Sequence, residues 1–177
     1  MRERILATAD RLFYQRGIRA VGVDTIALEA GISKRSLYDH FPSKDALVAA
    51  YLEGRARPHR IPEVPPEAQI VAVFERLERA LGTGGFRGCP FVNAVIETGD
   101  DAVRAAALSF KEERRLWFRA RLEALGLAGA DLLAMQLALL VDGAIAAGLV
   151  RHDPAVARAA ADAARALLAA ARRQPAT

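Results

Sequence analysis

The chain has 177 residues, enough for one medium domain or two small ones with a proper hydrophobic core. Hydrophobic residues make up 53% and aromatics only 6%, and 38 alanines supply much of the surplus; this helix-forming composition argues against a disordered chain, a disulfide scaffold or a β-sandwich. The net charge of +4 lies wholly in residues 1–60, with 11 Lys/Arg against 7 Asp/Glu, whereas residues 61–177 carry 14 of each, so an N-terminal part suited to a polyanion precedes a neutral remainder.

The opening run MRERILATADRLF scatters charge among its apolar residues and lacks the apolar stretch of a signal peptide. Together with a single cysteine, Cys89, which cannot form an intrachain disulfide, this fits a reducing cytoplasm. Residues 2–16 repeat apolar groups at Ile5, Leu6, Ala9, Leu12 and Phe13, the spacing of an amphipathic helix, and Gly17 is a natural stop. Residues 23–30 form a short helix with Ile26 and Ala27 facing inward. Gly31-Ile32-Ser33 then turns the chain, and Ser33 is placed to cap the next helix, KRSLYDHF. Pro42 ends that helix, and Ser43 caps a fourth running to about Arg57.

Four prolines in residues 58–66 (PHRIPEVPP) make the clearest break in the chain. The expected division is therefore 1–57 and 58–177. Further helices are expected over roughly 67–82, 89–98, 101–125, 130–149 and 154–173, punctuated by glycines and Pro154. No segment alternates with a period of two, so the fold class is all-α.

Residues Val23 to Phe41 are two short helices about a Gly-containing turn, the pattern of a helix-turn-helix whose second helix enters the DNA major groove. Ala27, Gly31, Ile32 and Leu37 supply the small and apolar residues the crossing needs. Lys34 and Arg35 lie in the first turn of the second helix, where they reach base edges or phosphates. Ser36, Tyr38 and His40 offer neutral hydrogen-bond groups, and Lys44 is placed for a phosphate. Tyr38 also packs its ring, and His40 suits a phosphate or a backbone group as well as a base.

The run VDTIALEAGISKRSLYDHFPSKDALVAAY, residues 23–51, resembles the TetR family of transcriptional repressors, and the resemblance extends over residues 2–55. It implies a three-helix DNA-binding head, a fourth helix linking it to a helical regulatory body, and operator contacts from Lys34, Arg35, Ser36, Tyr38, His40 and Lys44. Two positions depart from the family. Gly22 replaces a capping Thr or Ser, and Asp24 puts an acid near the phosphate path; no DNA contact is carried onto either.

The body reads differently. Leu132–Val150 has about the length of a membrane span, but Gln136, Asp142 and several small residues interrupt it. In 154–173 the charges Arg158, Asp162, Arg165 and Arg172 make one narrow stripe on an otherwise Ala, Leu and Val perimeter. Two such helices, with Gly143, Ala144, Ala147 and Gly148 permitting close approach, suggest burial against a partner subunit or within the chain's own core. In the TetR family the final two helices form a four-helix dimer interface, so the resemblance implies a homodimer. Residues 86–97, FRGCPFVNAVIE, resemble a motif of one branch of the family, with Pro90 suited to a first helical turn.

Phe91, Trp117, Phe118 and Met135 are candidate walls of a small-molecule effector pocket, with Asn93 and Asp142 as its polar points; the same aromatics also suit a plain core. Cys89 reads as a small buried hydrophobe, the rival being a thiol sensor. Glycine-rich phosphate loops, Cys/His metal spacing and HExxH are all missing, and His40, His59 and His152 are scattered. The expectation is a cytoplasmic, non-enzymatic, homodimeric repressor without cofactor or metal, released from double-stranded operator DNA by a small apolar ligand. The alternative is a ligand-independent DNA-binding protein or a regulator acting through Cys89.

Overall fold

The computed structural model describes residues 1–56 and 63–173. Its helices, in chain order, are α1 (Arg2–Arg16), α2 (Val23–Glu29), α3 (Lys34–His40), α4 (Lys44–Ala56), α5 (Pro66–Gly82), α6 (Pro90–Thr98), α7 (Asp101–Ala124), α8 (Ala130–Arg151) and α9 (Ala155–Arg172). No strand occurs among the described residues. The all-α class and the expected helices hold to within two residues. The division expected at 57/58, most of the proline-rich stretch and His59 lie outside the described residues.

Local chemistry sets these limits. Gly17 ends α1 with φ +91°, its N–H donating to the Phe13 carbonyl. The Ser33 hydroxyl accepts from the Ser36 N–H at 3.1 Å, and the Ser43 hydroxyl from the Ala46 N–H at 3.0 Å. Asp100 accepts from the N–H groups of Ala102 and Val103 at 2.8 and 3.0 Å, capping α7. Pro90 opens α6, and Gly99 closes it in the left-handed region. His152 takes φ +53° to end α8, two residues beyond the stop expected at 149.

The chain folds as two compact units. One comprises Met1–Pro58 and Cys89–Leu108, the other His59–Gly88 and Ser109–Thr177. Nothing in the sequence pattern marks the grouping of 89–108 with the N-terminal helices. In the first unit Ile5, Leu12, Ile26, Leu37, Leu47 and Leu52 are wholly buried, each contributing about 1.5–3 kcal/mol of burial. The second unit is built on α5, α8 and α9. Phe74, Phe118, Leu122 and Leu137 fill its centre, and α9 contributes Ala157, Ala160, Ala161 and Ala164. Small side chains on α9 let the larger residues of α5 and α8 fill the space between helices. At one point the fit leaves no room: a Cβ on Gly148 would lie 2.6 Å from the Leu81 side chain.

Candidate nucleic-acid interface

Helix α3 is anchored from below by its one buried residue. Leu37 is fully buried, with Ile26 and Ala27 of α2 buried too and Phe41 closing the far end. Gly31 takes φ +64° in the turn, which glycine permits at no steric cost. The Ile32 N–H then donates back to the Ala27 carbonyl at 3.0 Å. With Leu37 fixed inward, Lys34, Arg35, Tyr38 and His40 all face solvent, Ser36 is half-buried, and Lys44 is half-buried at the start of α4. Tyr38 is 41% exposed, so the side chain packs only in part.

The cations differ in their engagement. Lys34 Nζ lies 2.9 Å from Asp24 Oδ1, and this hydrogen-bonded partner raises the lysine above its ordinary value. Arg35 and Lys44 have no acid or hydrogen-bond partner among the described residues. Asp24, in the first turn of α2, leaves the N-cap at Gly22 without a side-chain bond.

Other ion pairs brace the head. Glu29 on α2 takes Arg11 at 2.5 Å and Arg16 at 3.2 Å from α1. The Arg11 hydrogen bond holds the Glu29 carboxyl below its ordinary value. Arg55 of α4 forks onto Asp10 of α1 at 2.6 and 2.8 Å and stacks over Tyr14 at 4.5 Å. Tyr51 packs edge-on to Phe13, and burial pushes its phenol up.

A long-range contact of this unit has no signal in the sequence. Glu97, on α6, accepts the Arg19 backbone N–H at 2.9 Å. Its carboxylate lies so close to Gly17 that a Cβ there would meet Oε2 at 2.8 Å. The partners are 78 residues apart, and no local pattern signals their meeting.

The six effector candidates do not share one unit. Phe91, 1% exposed, and half-buried Asn93 belong to the first, with Cys89, the buried N-cap of α6. Trp117, Phe118, Met135 and Asp142 belong to the second. There Phe118 is a fully buried core residue and Met135 is 46% exposed. Trp117 is half-buried, and Asp142 carries Lys111 at 2.5 Å and Arg114 at 3.2 Å. Among the described residues no group of three His, Cys, Asp or Glu is placed to hold a metal ion.

The second unit also has an uncovered apolar face. Leu132, Met135, Leu139 and Val150 of α8 recur at helical spacing and are 67, 46, 62 and 80% exposed. Beside them lies a groove of about 590 Å³ lined by Gln136, Leu139, Gly143 and Ala147 of α8 and Ala159 and Ala163 of α9, among others. By length and composition α8 is the one helix among the described residues able to cross a membrane.

The sequence pattern of the bacterial regulatory proteins of the tetR family matches residues 5–51. A tetR transcriptional regulator from Streptomyces avermitilis is 36% identical, with a TM-score of 0.83, and the match covers 98% of each chain. A TetR-family transcriptional regulator from Streptomyces coelicolor is 33% identical at the same TM-score, over 96% of this chain and 95% of that one. An HTH-type transcriptional regulator of Mycobacterium tuberculosis is 39% identical over 75 residues, a stretch that spans 42% of this chain and only 37% of the relative.

Proposed function

Because the chain belongs to the TetR family of bacterial transcriptional regulators, we propose that it is a cytoplasmic homodimeric repressor whose α3 reads an operator half-site and whose helical body takes a small-molecule effector. The DNA reading is carried by the outward row Lys34, Arg35, Tyr38 and His40 on a helix anchored by a wholly buried Leu37. A helix so anchored enters the major groove with its first turn against base edges. Arg35, free of any acid, is the base reader. Lys44, beside the start of a 13-residue helix, takes a phosphate together with the backbone N–H groups there. Ser36, Tyr38 and His40 complete the contact through neutral hydrogen bonds.

Dimerisation explains the bare apolar face of α8 and α9. A row of leucine and methionine in water beside a groove lined with glycine and alanine suits a second copy packed across a two-fold axis. The same burial accounts for the membrane-like composition of α8. The effector reading rests on Trp117 and Asp142, the two candidates that are half-buried in the second unit. An effector that prefers one spacing of the two heads shifts the population away from the DNA-matching state.

Titration of duplex DNA over a range of salt tests the docking. Lys44→Ala is expected to weaken binding to every sequence and reduce the salt slope by about one phosphate contact. Arg35→Ala is expected to narrow the gap between the preferred duplex and others, a loss of about 1–3 kcal/mol if it forks onto a guanine. Unchanged affinity and selectivity in both variants would remove α3 as the reading element.

A further inference from the structure

The effector reading leaves the chemistry of the effector open, and one face of the second unit narrows it. Along α7, Phe110, Arg114, Trp117 and Arg121 recur at spacings of four, three and four, so they form one stripe. Arg121 Nε donates to Gln69 Oε1 of α5 at 3.1 Å, and its guanidinium covers the Trp117 ring at 4.1 Å. One turn further on, Arg114 sits over Phe110 at 4.8 Å. On α5, Arg76 is two turns beyond Gln69 and within electrostatic reach of Arg114.

The charges on this face do not balance. Lys111 and Arg114 both close on Asp142, and Arg114 is only 20% exposed. Arg76 finds no acid among the described residues. Burial, then the charges of Arg114 and Arg79, push it below its ordinary value. Lys111 and Arg114 thus share one carboxylate, and Arg76 has none. A second, independent sign is on the same stripe, three residues from Arg114: Trp117 Nε1 is buried and has no hydrogen-bond partner among the described residues. An unmet buried donor costs about 1–3 kcal/mol, and an uncompensated cation in a partly buried place is also unfavourable. An acceptor bearing negative charge relieves both.

We propose that this face of α5, α7 and α8 is an organic-anion site, in which Arg76 and Arg114 hold the carboxylate of the effector and Trp117 supplies an apolar wall and an N–H donor. Asp142 positions Lys111 and Arg114 rather than touching the ligand. The effector is then an organic carboxylate with a flat apolar body, more specific than an uncharged apolar molecule. The proposal rests on the effector reading above and deepens it.

Trp117 is the chain's single tryptophan, so energy transfer from it reports binding to the chain, and the Arg76 variants locate that binding at this face. The probes are 9-anthracenecarboxylate and its neutral counterpart 9-anthracenemethanol, titrated into the full-length protein. The carboxylate should quench Trp117 at a concentration at least tenfold lower than the alcohol. Arg76→Gln should remove most of that tenfold advantage and leave the alcohol unchanged, and Arg76→Lys should restore it in part. Equal binding of the two probes, or an Arg76→Gln protein that still prefers the carboxylate, would overturn the anion site while leaving an effector pocket in place. If neither probe quenches Trp117, the effector reading at this face falls as well.

Discussion

Lys34 opens α3 already engaged with Asp24. Both partners are more than half exposed, so the pair itself adds little stability. In the proposed docking its weight falls on binding, because a DNA phosphate approaching Lys34 must displace one carboxylate and meet its repulsion. Asp24→Asn is therefore expected to tighten DNA binding several-fold and steepen its salt dependence, as a lysine becomes free for phosphate. Anisotropy titrations between low and physiological salt check this. Weaker binding would show instead that Asp24 holds Lys34 in its reading position. Gly17 illustrates the other kind of residue-level constraint. The sequence marks it as a helix stop, but its second reason is visible only in three dimensions, where its missing side chain admits the Glu97 carboxylate.

The helices themselves are legible because their ends carry side-chain chemistry. Ser33, Ser43 and Pro90 each act at the position the sequence assigns them. Periodicity also separates Leu37 and Phe41, which are buried, from their exposed neighbours. Periodicity says which residues face inward but not against which helix. That is why Phe91 and Trp117 read alike as pocket walls yet fall in different units, and why Asp10–Arg55 and Glu97–Arg19 had no signal. Glycine within helices shows the same limit, since composition alone cannot rank Gly54 and Gly148. A Cβ on Gly54 of α4 meets nothing within 4 Å, whereas one on Gly148 of α8 overlaps Leu81. Gly54→Ala should then stabilise by roughly 0.5–1 kcal/mol from helix propensity. Gly148→Ala should lose that gain to overpacking and come out destabilised by about 1 kcal/mol. Urea unfolding of the two variants separates the effects, and equal stabilisation of both would mean that Leu81 moves aside freely.

At the scale of the whole molecule, the alanine surplus that first says only "helical" acquires a place. On α9 its buried members pack against α5 and α8, while Ala159 and Ala163 line the open groove with Gly143 and Ala147. The basic excess likewise includes Arg35 of α3 and Lys44 of α4, cations with no acid partner among the described residues. Under the proposed function the molecule has two working faces, one for DNA and one for a second copy. If both assignments hold, each dimer presents two α3 helices related by a two-fold axis, and its binding site must share that symmetry. Selection of bound duplexes from a random pool by the full-length protein tests this most directly. The expected result is enrichment of an inverted repeat, its two half-sites centred about one helical turn, 10–10.5 base pairs, or a multiple of it apart. Enrichment of a lone half-site, or of no sequence at all, would contradict it.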